Sequence, residues 1–249
     1  GWLSKRAFAL TDCATWMQFA APKEFAVVTA NRWKLYDESA GKTATYQMGA
    51  KTPLARAPLR GCRGKAGGEP LLLVPSRTPD GTLAIHLQTA VFDDDLHHGF
   101  LPCTENNFVR QGFRFLGDVY GWGGLDDSVD CSAFTSDVYR SMGLEIPRDA
   151  DVQGQALPYR VELHGKTDAR LALLTIGFPV GTLLSNDTHV MMYIGRDADG
   201  TPMALQAMSS YFDETGKHYL RQVVLTTLTY RNAEGKPYIK GVKYLSAIK

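Results

Sequence analysis

Short segments of alternating apolar and polar residues fill most of the first hundred positions. Gly, Pro, Asp and Ser turns separate them, and residues 78–81 (TPDG) form a strong hairpin signal. Six segments have this strand pattern: FAVVTANRWKLY, TATYQM, TPLARA, PLLLVPS, LAIHLQTA and HHGFLP. Because no helical pattern interrupts them, they predict a small β-barrel over residues 25–102. The segment before them, residues 2–20, is predicted to be partly helical.

Helical spacing replaces this pattern from Thr104, which can cap a helix ending near residue 116. The predicted core side chains of that helix are Phe108, Phe115 and Leu116. Two further short helices are predicted over residues 148–157 and 168–176. Strands resume at Gly181, in the segments GTLL, HVMMYIG, MALQAMS, RQVVLTTLTY and YIKGVKYL. Helices followed by an antiparallel sheet predict an α+β fold, with domains of residues 1–103 and 104–249.

A glycine-rich turn and a helix start meet in the segment YGWGGLDDSVDCSAFTSDVY, which puts Cys131 in the first helical turn. Asp130 stands at the N-cap position, where a carboxylate can accept backbone N–H groups that lack helical partners. Apolar residues recur behind the cysteine at four-residue intervals: Phe134, Val138 and Met142. The helix dipole and the N–H donors at such a start favour the thiolate and can hold an oxyanion. The segment therefore predicts a nucleophilic cysteine in an open cleft.

The composition narrows the possible functions. The chain has 249 residues, 44% of them hydrophobic, and a formal net charge of +1. It can bury a substantial core, has no basic run that would bind nucleic acid, and has no apolar stretch of the about 20 residues that a bilayer span needs. No signal peptide is visible at the start, which is also typical of a mature exported chain. The four cysteines, Cys13, Cys62, Cys103 and Cys131, do not have zinc-site spacing, so we expect no metal or other cofactor.

A cysteine nucleophile needs a base, and His189 is the best candidate among six histidines. It begins the strand segment HVMMYIG after a polar turn, so its imidazole lies at a strand end that can face a helix start. A third polar group is needed to fix the imidazole tautomer. Gln206 interrupts the apolar residues of the next strand, and its amide oxygen can accept the ring N–H. The predicted catalytic set is Cys131, His189 and Gln206.

These motifs together resemble the NlpC-type cell-wall peptidases, which are papain-like cysteine enzymes. The resemblance covers residues 104–249 and rests on YGWGG, DCSAF, IPRDADVQ and HVMMYIG followed by a strand with a polar residue. It implies a papain-like domain in which a cysteine-bearing helix packs on an antiparallel sheet. The strand-rich part before it resembles the bacterial SH3-like domains that often precede such peptidases.

The resemblance also implies residue roles and a substrate. The three catalytic residues would act as nucleophile, base and orienting group. Tyr120, Asp130 and Ser132 match positions that line the substrate cleft and contact the L-Ala-γ-D-Glu part of a cell-wall stem peptide. The bond cut would be the γ-D-glutamyl amide of an L-diamino acid, commonly meso-diaminopimelate, through a thioester acyl-enzyme. We therefore expect an exported monomer of the periplasm or cell wall, with peptidoglycan as its partner.

Three positions depart from the family pattern. Ala133 stands where many relatives have glycine, and Gln206 stands where many have histidine. Residues 181–183 are Gly-Thr-Leu rather than Gly-Asp-Leu, with only a short loop before His189. The shortened loop changes the rim of the cleft and the acceptable substrate length, while the reaction class stays the same.

Two other functions stay open. One is a different papain-like wall enzyme, an N-acetylmuramoyl-L-alanine amidase or an acyltransferase that uses the same Cys and His. The other is a non-catalytic wall-binding module, which the presence of all three catalytic residue types disfavours. SH3-like domains of relatives can also close one end of the cleft, so that a free L-Ala amine is required. Turn carboxylates that could hold this amine together with Tyr120 are Asp37, Glu38, Asp93, Asp94 and Asp95.

Overall fold

The computed structural model describes residues 8–37, 41–58, 66–124, 127–164, 169–172 and 177–248. The chain divides into two compact units, Gly1–Leu101 and Pro102–Lys249. Each unit has its own sheet and its own buried apolar cluster.

The first unit begins with a helix and continues in strands. Asp12 caps helix α1 (Cys13–Ala20) by accepting the N–H of Thr15 at 2.8 Å. The strands are β1 (Phe25–Val28), β2 (Arg32–Asp37), β3 (Lys42–Gln47), β4 (Lys51–Pro58), β5 (Ala66–Arg77), β6 (Leu83–Thr89) and β7 (Leu96–His98). The TPDG segment forms the predicted hairpin turn between β5 and β6, which the Thr78 N–H closes on the Thr82 carbonyl at 3.0 Å.

Five of these strands form one antiparallel sheet in the order β6-β5-β4-β1-β7, and β2 pairs with β3 in a separate hairpin. Leu72, Val74 and Leu96 are almost fully buried in the core of the unit. Trp33 and Tyr46 of the hairpin pack against this core, so the hairpin covers apolar side chains of the sheet. Within the described residues no ladder joins β6 to β7, and the predicted closed barrel stays a prediction.

The second unit carries the helices. They are α2 (Glu105–Phe113), α3 (Cys131–Ser141) and α4 (Ala150–Ala156). Its strands are β8 (Tyr159–Glu162), β9 (Leu183–Ser185), β10 (Val190–Arg196), β11 (Pro202–Asp213), β12 (Gly216–Thr227) and β13 (Tyr244–Ala247). Residues 169–172 are helical, and the rest of the helix predicted over 168–176 lies outside the described residues.

The six strands form an antiparallel sheet in the order β12-β11-β10-β9-β13-β8, on which α2 and α3 pack. Phe134 and Val138 of α3 are fully buried, as their four-residue spacing predicts. Burial of each such side chain stabilises the fold by about 1.5 to 3 kcal/mol. At Gly112 in α2, a Cβ atom would lie 2.8 Å from the side-chain ends of Met192 in β10 and Leu205 in β11, so a larger residue would have to displace these side chains.

Two expectations about this unit were wrong, and one strand was missed. Helix α2 ends at Phe113, and Leu116 is 49% exposed. The chain turns away from the helix at Gly117, whose N–H donates to the carbonyl of Val223 at 2.9 Å. The segment YIKGVKYL is a 3₁₀ turn (Tyr238–Gly241) followed by β13, rather than one strand. Strand β8 was not expected. It is four residues long and, among the described strands, pairs with β13 at the sheet edge. Such a short segment carries a weak strand pattern.

Candidate active site

The turn before α3 is tied to the first residues of that helix. The Asp130 carboxylate accepts the Ala133 N–H at 2.8 Å and the Gly123 N–H at 3.0 Å. Gly123 has a φ of 78°, a left-handed conformation that glycine adopts without strain. One carboxylate therefore caps the helix, as predicted, and also holds the glycine turn against it.

A cleft of about 510 Å³ lies over the start of α3. Four of the six predicted site residues line it: Tyr120, Asp130, Cys131 and Ser132. Other lining side chains come from the glycine turn, from the start of α4 and from the loop before β10: Trp122, Arg148, Asp151, Asp187 and Thr188. Trp122 is 84% exposed, so an indole face at the rim is available to a ligand. Burial, together with the charges of Cys131 and Asp130, raises the pKa of Tyr120, which therefore stays neutral in the cleft.

Arg148 organises the polar side of this cleft and was missed as a site residue. Its guanidinium donates to the Asp130 carboxylate at 2.6 Å and to the Ser132 hydroxyl at 2.7 Å. Burial alone would raise the pKa of Asp130. The bond from Arg148, with the backbone donors of the turn and helix, outweighs burial and holds that pKa below 3.8. Asp130 is therefore ionised at neutral pH and paired with a half-exposed cation.

Gln153 fixes the loop that carries Arg148. Its side chain is fully buried. The amide nitrogen donates to the Ser132 carbonyl at 2.8 Å and to the Pro147 carbonyl at 2.7 Å, while the amide oxygen accepts from Thr135 at 2.6 Å. The IPRDADVQ segment thus places an arginine in the cleft and anchors it to α3 with a glutamine five residues later.

His189 and Gln206 meet as predicted. The His189 Nε2 and the Gln206 Oε1 lie 2.7 Å apart. His189 directly precedes β10, and Gln206 lies in the neighbouring strand β11. The turn before His189 is shaped by Asn186, whose side-chain oxygen accepts the N–H groups of Thr188 and His189, each at 2.9 Å. Burial lowers the pKa of His189, and the bond to Gln206 opposes this shift in part. Because Nε2 is bonded to Gln206, Nδ1 is the nitrogen that can serve a nucleophile.

Cys131 lies beside the strand that His189 begins. Its thiol is 7% exposed and receives a hydrogen bond from the backbone N–H of Val190, the residue after the histidine. The backbone N–H groups of Cys131 and Ser132 also lower the pKa of the thiol. Burial and the Asp130 charge outweigh these donors, so the pKa of the Cys131 thiol is raised. The donors at the helix start therefore favour the thiolate, as expected, but burial of that helix start opposes them and outweighs them.

Two tyrosines beside His189 were not predicted from the sequence. The Tyr238 ring stands edge-on to the imidazole, with ring centres 5.9 Å apart. Tyr230 stacks on Tyr238 at 4.7 Å, and its hydroxyl donates to the Gln206 oxygen at 3.3 Å. No sequence signal singles out either residue, because Tyr230 ends and Tyr238 begins a segment that was predicted to be a strand.

Other candidate groups have local roles. His86 contacts Ser76 at 2.7 Å within the first unit, and His218 pairs with Asp213 at 2.9 Å in a hairpin turn. Cys13 and Cys103 are exposed free thiols, and Cys62 lies outside the described residues.

The turn carboxylates proposed for amine binding are only partly described. The Asp93 carboxylate accepts the Asp95 N–H at 2.8 Å, so it shapes its own turn. The Asp37 side chain and Glu38 lie outside the described residues. No cluster of three metal-ligating side chains occurs among the described residues, and none of the helices described is long and apolar enough to cross a bilayer.

Part of the chain matches a known protein family. Residues 117–211 match the NlpC/P60 family, and this range includes the three residues of the predicted catalytic set. A stretch of 54 residues is 39% identical to a γ-D-glutamyl-L-lysine dipeptidyl-peptidase from Bacillus subtilis (strain 168), over 21% of this chain and 18% of that protein. Residues 117–211 are therefore similar to the NlpC/P60 family.

Two solved structures share the fold. An NlpC/P60 endopeptidase from Photobacterium damselae subsp. piscicida has a TM-score of 0.75 at 17% identity, over 99% of this chain and 58% of its own. An NlpC/P60 family protein from Bacillus cereus ATCC 10987 has a TM-score of 0.55 at 21% identity, over 93% of this chain and 66% of its own. The chain thus spans less than two thirds of each of these relatives.

Proposed function

We propose that this protein is a cysteine endopeptidase that cuts the γ-D-glutamyl bond to the L-diamino acid of peptidoglycan stem peptides. The observation that carries the proposal is the position of Cys131. Its thiol lies at a helix start, bonded to the backbone next to His189, while His189 is bonded to Gln206 at 2.7 Å. A nucleophile, a base and a group that orients the base are the three parts that acyl transfer requires.

The reaction follows from these positions. The Cys131 thiol gives its proton to His189 Nδ1 as sulfur attacks the γ-carbonyl carbon, and the carbonyl oxygen becomes an oxyanion near the N–H groups of the α3 start. His189 returns the proton to the leaving amine as the C–N bond breaks, which leaves a thioester on Cys131. Water, deprotonated by His189, then attacks the thioester and releases the dipeptide acid and the thiol.

Arg148 and its partners suit the acyl side of this substrate. D-Glu carries a free α-carboxylate beside the γ-amide, and a guanidinium binds carboxylates with two parallel hydrogen bonds. Arg148 is 49% exposed in the cleft while one face of it is held by Asp130. We expect Tyr120, Asp130 and Ser132, with Arg148, to contact the L-Ala-γ-D-Glu part of the stem.

The loop before His189 suits the diamino acid, whose amine is the leaving group. His189 must reach the leaving amine, so Asp187 and Thr188, which line the cleft next to it, flank the diamino acid. Asp187 forms an ion pair with Lys243. We expect the Asp187 carboxylate to attract the distal amine of meso-diaminopimelate and the Lys243 ammonium to attract its distal carboxylate. The side chain of L-lysine carries only the amine.

The first unit is proposed to be an SH3-like module that serves the same substrate. Its antiparallel strands and separate core fit a small binding domain, and the fold similarity to the Photobacterium endopeptidase extends over both units. NlpC/P60 homologues act on the cell wall, so we also propose that the protein is exported and works there as a monomer.

A defined tetrapeptide, L-Ala-γ-D-Glu-meso-diaminopimelyl-D-Ala, tests the proposal by mass spectrometry of the products. We expect L-Ala-D-Glu and the diaminopimelyl dipeptide, with slower cleavage of the matching L-lysine peptide. Release of an intact stem from a muropeptide would instead identify an amidase, and failure to cleave either peptide or a muropeptide would contradict a hydrolase function.

A further inference from the structure

His189 lies just outside the strand that follows it. Strand β10 begins at Val190, which is opposite Ser185 in the first pair of the ladder with β9. A residue inside a ladder has the direction of its side chain set by the pairing of its main chain. His189 precedes the ladder, so other contacts must hold the main chain from which its imidazole projects.

Asn186 makes these contacts with both its side chain and its main chain. Its side-chain oxygen accepts the N–H of His189 at 2.9 Å, and its own main-chain N–H donates to the His189 carbonyl at 3.0 Å. The same side-chain oxygen accepts the N–H of Thr188 at 2.9 Å and the Thr188 hydroxyl at 3.2 Å. Both main-chain polar groups of the histidine are therefore bonded to one residue, which also closes the turn between them.

The other end of the Asn186 amide reaches a ring beside the imidazole. Because a backbone N–H can only donate, the amide oxygen must face the turn and the NH₂ group must point away from it. This NH₂ group donates to the Tyr238 hydroxyl at 3.4 Å, a long and therefore weak hydrogen bond. The Tyr238 ring stands edge-on to the imidazole of His189, with ring centres 5.9 Å apart. The contact through Tyr238 thus adds to the stronger main-chain contacts.

The turn that Asn186 closes decides how the base meets the thiol. Cys131 belongs to helix α3, whereas His189 is carried by the turn after β9, so their separation depends on how this turn is held. The bond to Gln206, at 2.7 Å, limits rotation of the imidazole ring but leaves the main chain of His189 free to shift. Asn186 constrains that main chain.

We propose that Asn186 is a positioning residue for His189, and that its bonds to both main-chain groups of the histidine hold the imidazole where it can accept the Cys131 proton. Asn186 is not among the residues that line the cleft, so it acts through the base. The inference rests on the proposed function, because it takes His189 as the base of Cys131.

Asn186→Ala removes the amide and tests the inference without a peptide substrate. The measured quantity is the rate at which iodoacetamide alkylates Cys131, followed by mass spectrometry of the peptide that contains it. We expect this rate to fall about tenfold, in the same direction as in His189→Ala. The kcat on the tetrapeptide should fall by a similar factor with KM within about twofold, because a shift of about 1 Å at a reacting group can cost up to about a hundredfold in rate.

Asp197 offers a matched control in the turn at the other end of β10. Its side-chain oxygen accepts the N–H groups of Asp199 at 3.0 Å and Thr201 at 2.8 Å, and its own N–H donates to the Thr201 carbonyl at 3.0 Å. Asp197→Ala therefore removes the same kind of turn closure. It should lower the melting temperature about as much as Asn186→Ala, with Cys131 alkylation and kcat within about twofold of the wild type.

Asn186→Asp is the conservative variant, since a carboxylate oxygen can accept the same main-chain N–H groups. It should keep Cys131 alkylation within about threefold of the wild type at about pH 8, where an imidazole near an added negative charge is still neutral. If Asn186→Ala does not fold, Asn186→Ser takes its place. A loss of about two- to fivefold is expected there, because a serine hydroxyl forms such turns more weakly.

Four outcomes decide between the inference and the proposed function. Wild-type alkylation and kcat in the alanine variant, or in the serine variant that replaces it, would overturn the inference. An equal loss in Asp197→Ala, or an Asn186→Asp variant as slow as Asn186→Ala, would also overturn it. If alkylation follows the expected pattern but the wild type cuts no stem peptide, the proposed function fails and the inference stands. If the wild type cuts the tetrapeptide and alkylation is the same in every Asn186 variant, the function stands and the inference fails.

Discussion

The two sides of Cys131 hold their polar groups in different ways. On one side, a charged pair joins Asp130, 8% exposed, to Arg148, 49% exposed, and both line the cleft. On the other side, His189 is bonded to the neutral amide of Gln206, which is fully buried. A buried charge needs a partner of opposite sign, whereas neutral groups need only hydrogen bonds.

This difference suits the roles that we propose for the two sides, carboxylate binding and proton transfer. A charge that meets a charged ligand must stay accessible, and Arg148 keeps one face toward the cleft. A base must change its protonation state during each turnover, and a neutral partner stabilises the imidazolium less than a carboxylate would. Burial lowers the pKa of His189 and raises that of Cys131, so it acts on both groups against their charged forms.

The largest effect should come from the residue between the two sides. Cys131→Ala is expected to abolish hydrolysis, a loss of more than about a thousandfold, because no other group can form the thioester. The melting temperature should stay within a few degrees, since the thiol is small. Cys103→Ala, which removes an exposed free thiol, is the control and should keep its activity. Measurable cleavage of the tetrapeptide by the alanine variant would exclude Cys131 as the nucleophile.

The neutral side is tested by two substitutions of Gln206. Gln206→Leu should lower kcat about a hundredfold, because the ring N–H of His189 loses its acceptor and stays buried without one. Gln206→His should retain more activity, since its ring nitrogen can accept the same hydrogen bond. Equal rates near the wild-type value for both variants would show that Gln206 does not orient the base.

Arg148→Gln tests the charged side. We expect KM to rise about tenfold and the free energy of unfolding to fall by about 1 to 3 kcal/mol, because Asp130 loses its charged partner. Arg140→Gln is matched to it, since Arg140 pairs with Asp137 on the same helix at 3.0 Å, outside the set of residues that line the cleft. Both variants should lose stability, but only Arg148→Gln should change KM. A normal KM for Arg148→Gln would remove Arg148 from the substrate site.

The same pair predicts a pH dependence of stability. The folded-state pKa of Asp130 is below 3.8, so the pair stabilises the fold above that pH and the contribution is lost as pH falls through the lower, folded value. In Arg148→Gln the raising effect of burial is no longer opposed by the guanidinium. The stability deficit of this variant should therefore be larger at pH 7 than at pH 3, as measured by urea unfolding. A deficit that is independent of pH would show that the pair does not hold Asp130 ionised.

The smallest effect concerns the acid limb of the activity profile. Burial lowers the pKa of His189 below 6.5, so the neutral base should persist at mildly acidic pH and kcat/KM should reach half its maximum below pH 6.5. Gln206→Leu removes the hydrogen bond that opposes this shift, so its midpoint should lie lower still. A midpoint above pH 6.5 in the wild type would mean that a negative charge acts on His189 in solution.

Local patterns in the sequence determined the parts of this protein that depend on neighbouring residues. The cap at Asp130 and the buried stripe from Phe134 to Met142 were both predicted, because a helix start and a helix face follow from residues within a few positions. The choice of Cys131, His189 and Gln206 came from a strand end, one polar residue in an apolar strand, and a family resemblance. The structure brings His189 and Gln206 into hydrogen-bond contact and places Cys131 in the cleft.

Only the tertiary structure decided which distant side chains complete the site. Arg148 reaches Asp130 across 18 residues because a buried glutamine anchors its loop to α3. Tyr230 reaches Gln206 across 24 residues because the chain turns back after β12. Such contacts depend on strand order and loop paths, which no local pattern encodes. The raised pKa of the Cys131 thiol has the same origin, since burial comes from the whole fold and here outweighs the helix start that the sequence makes visible.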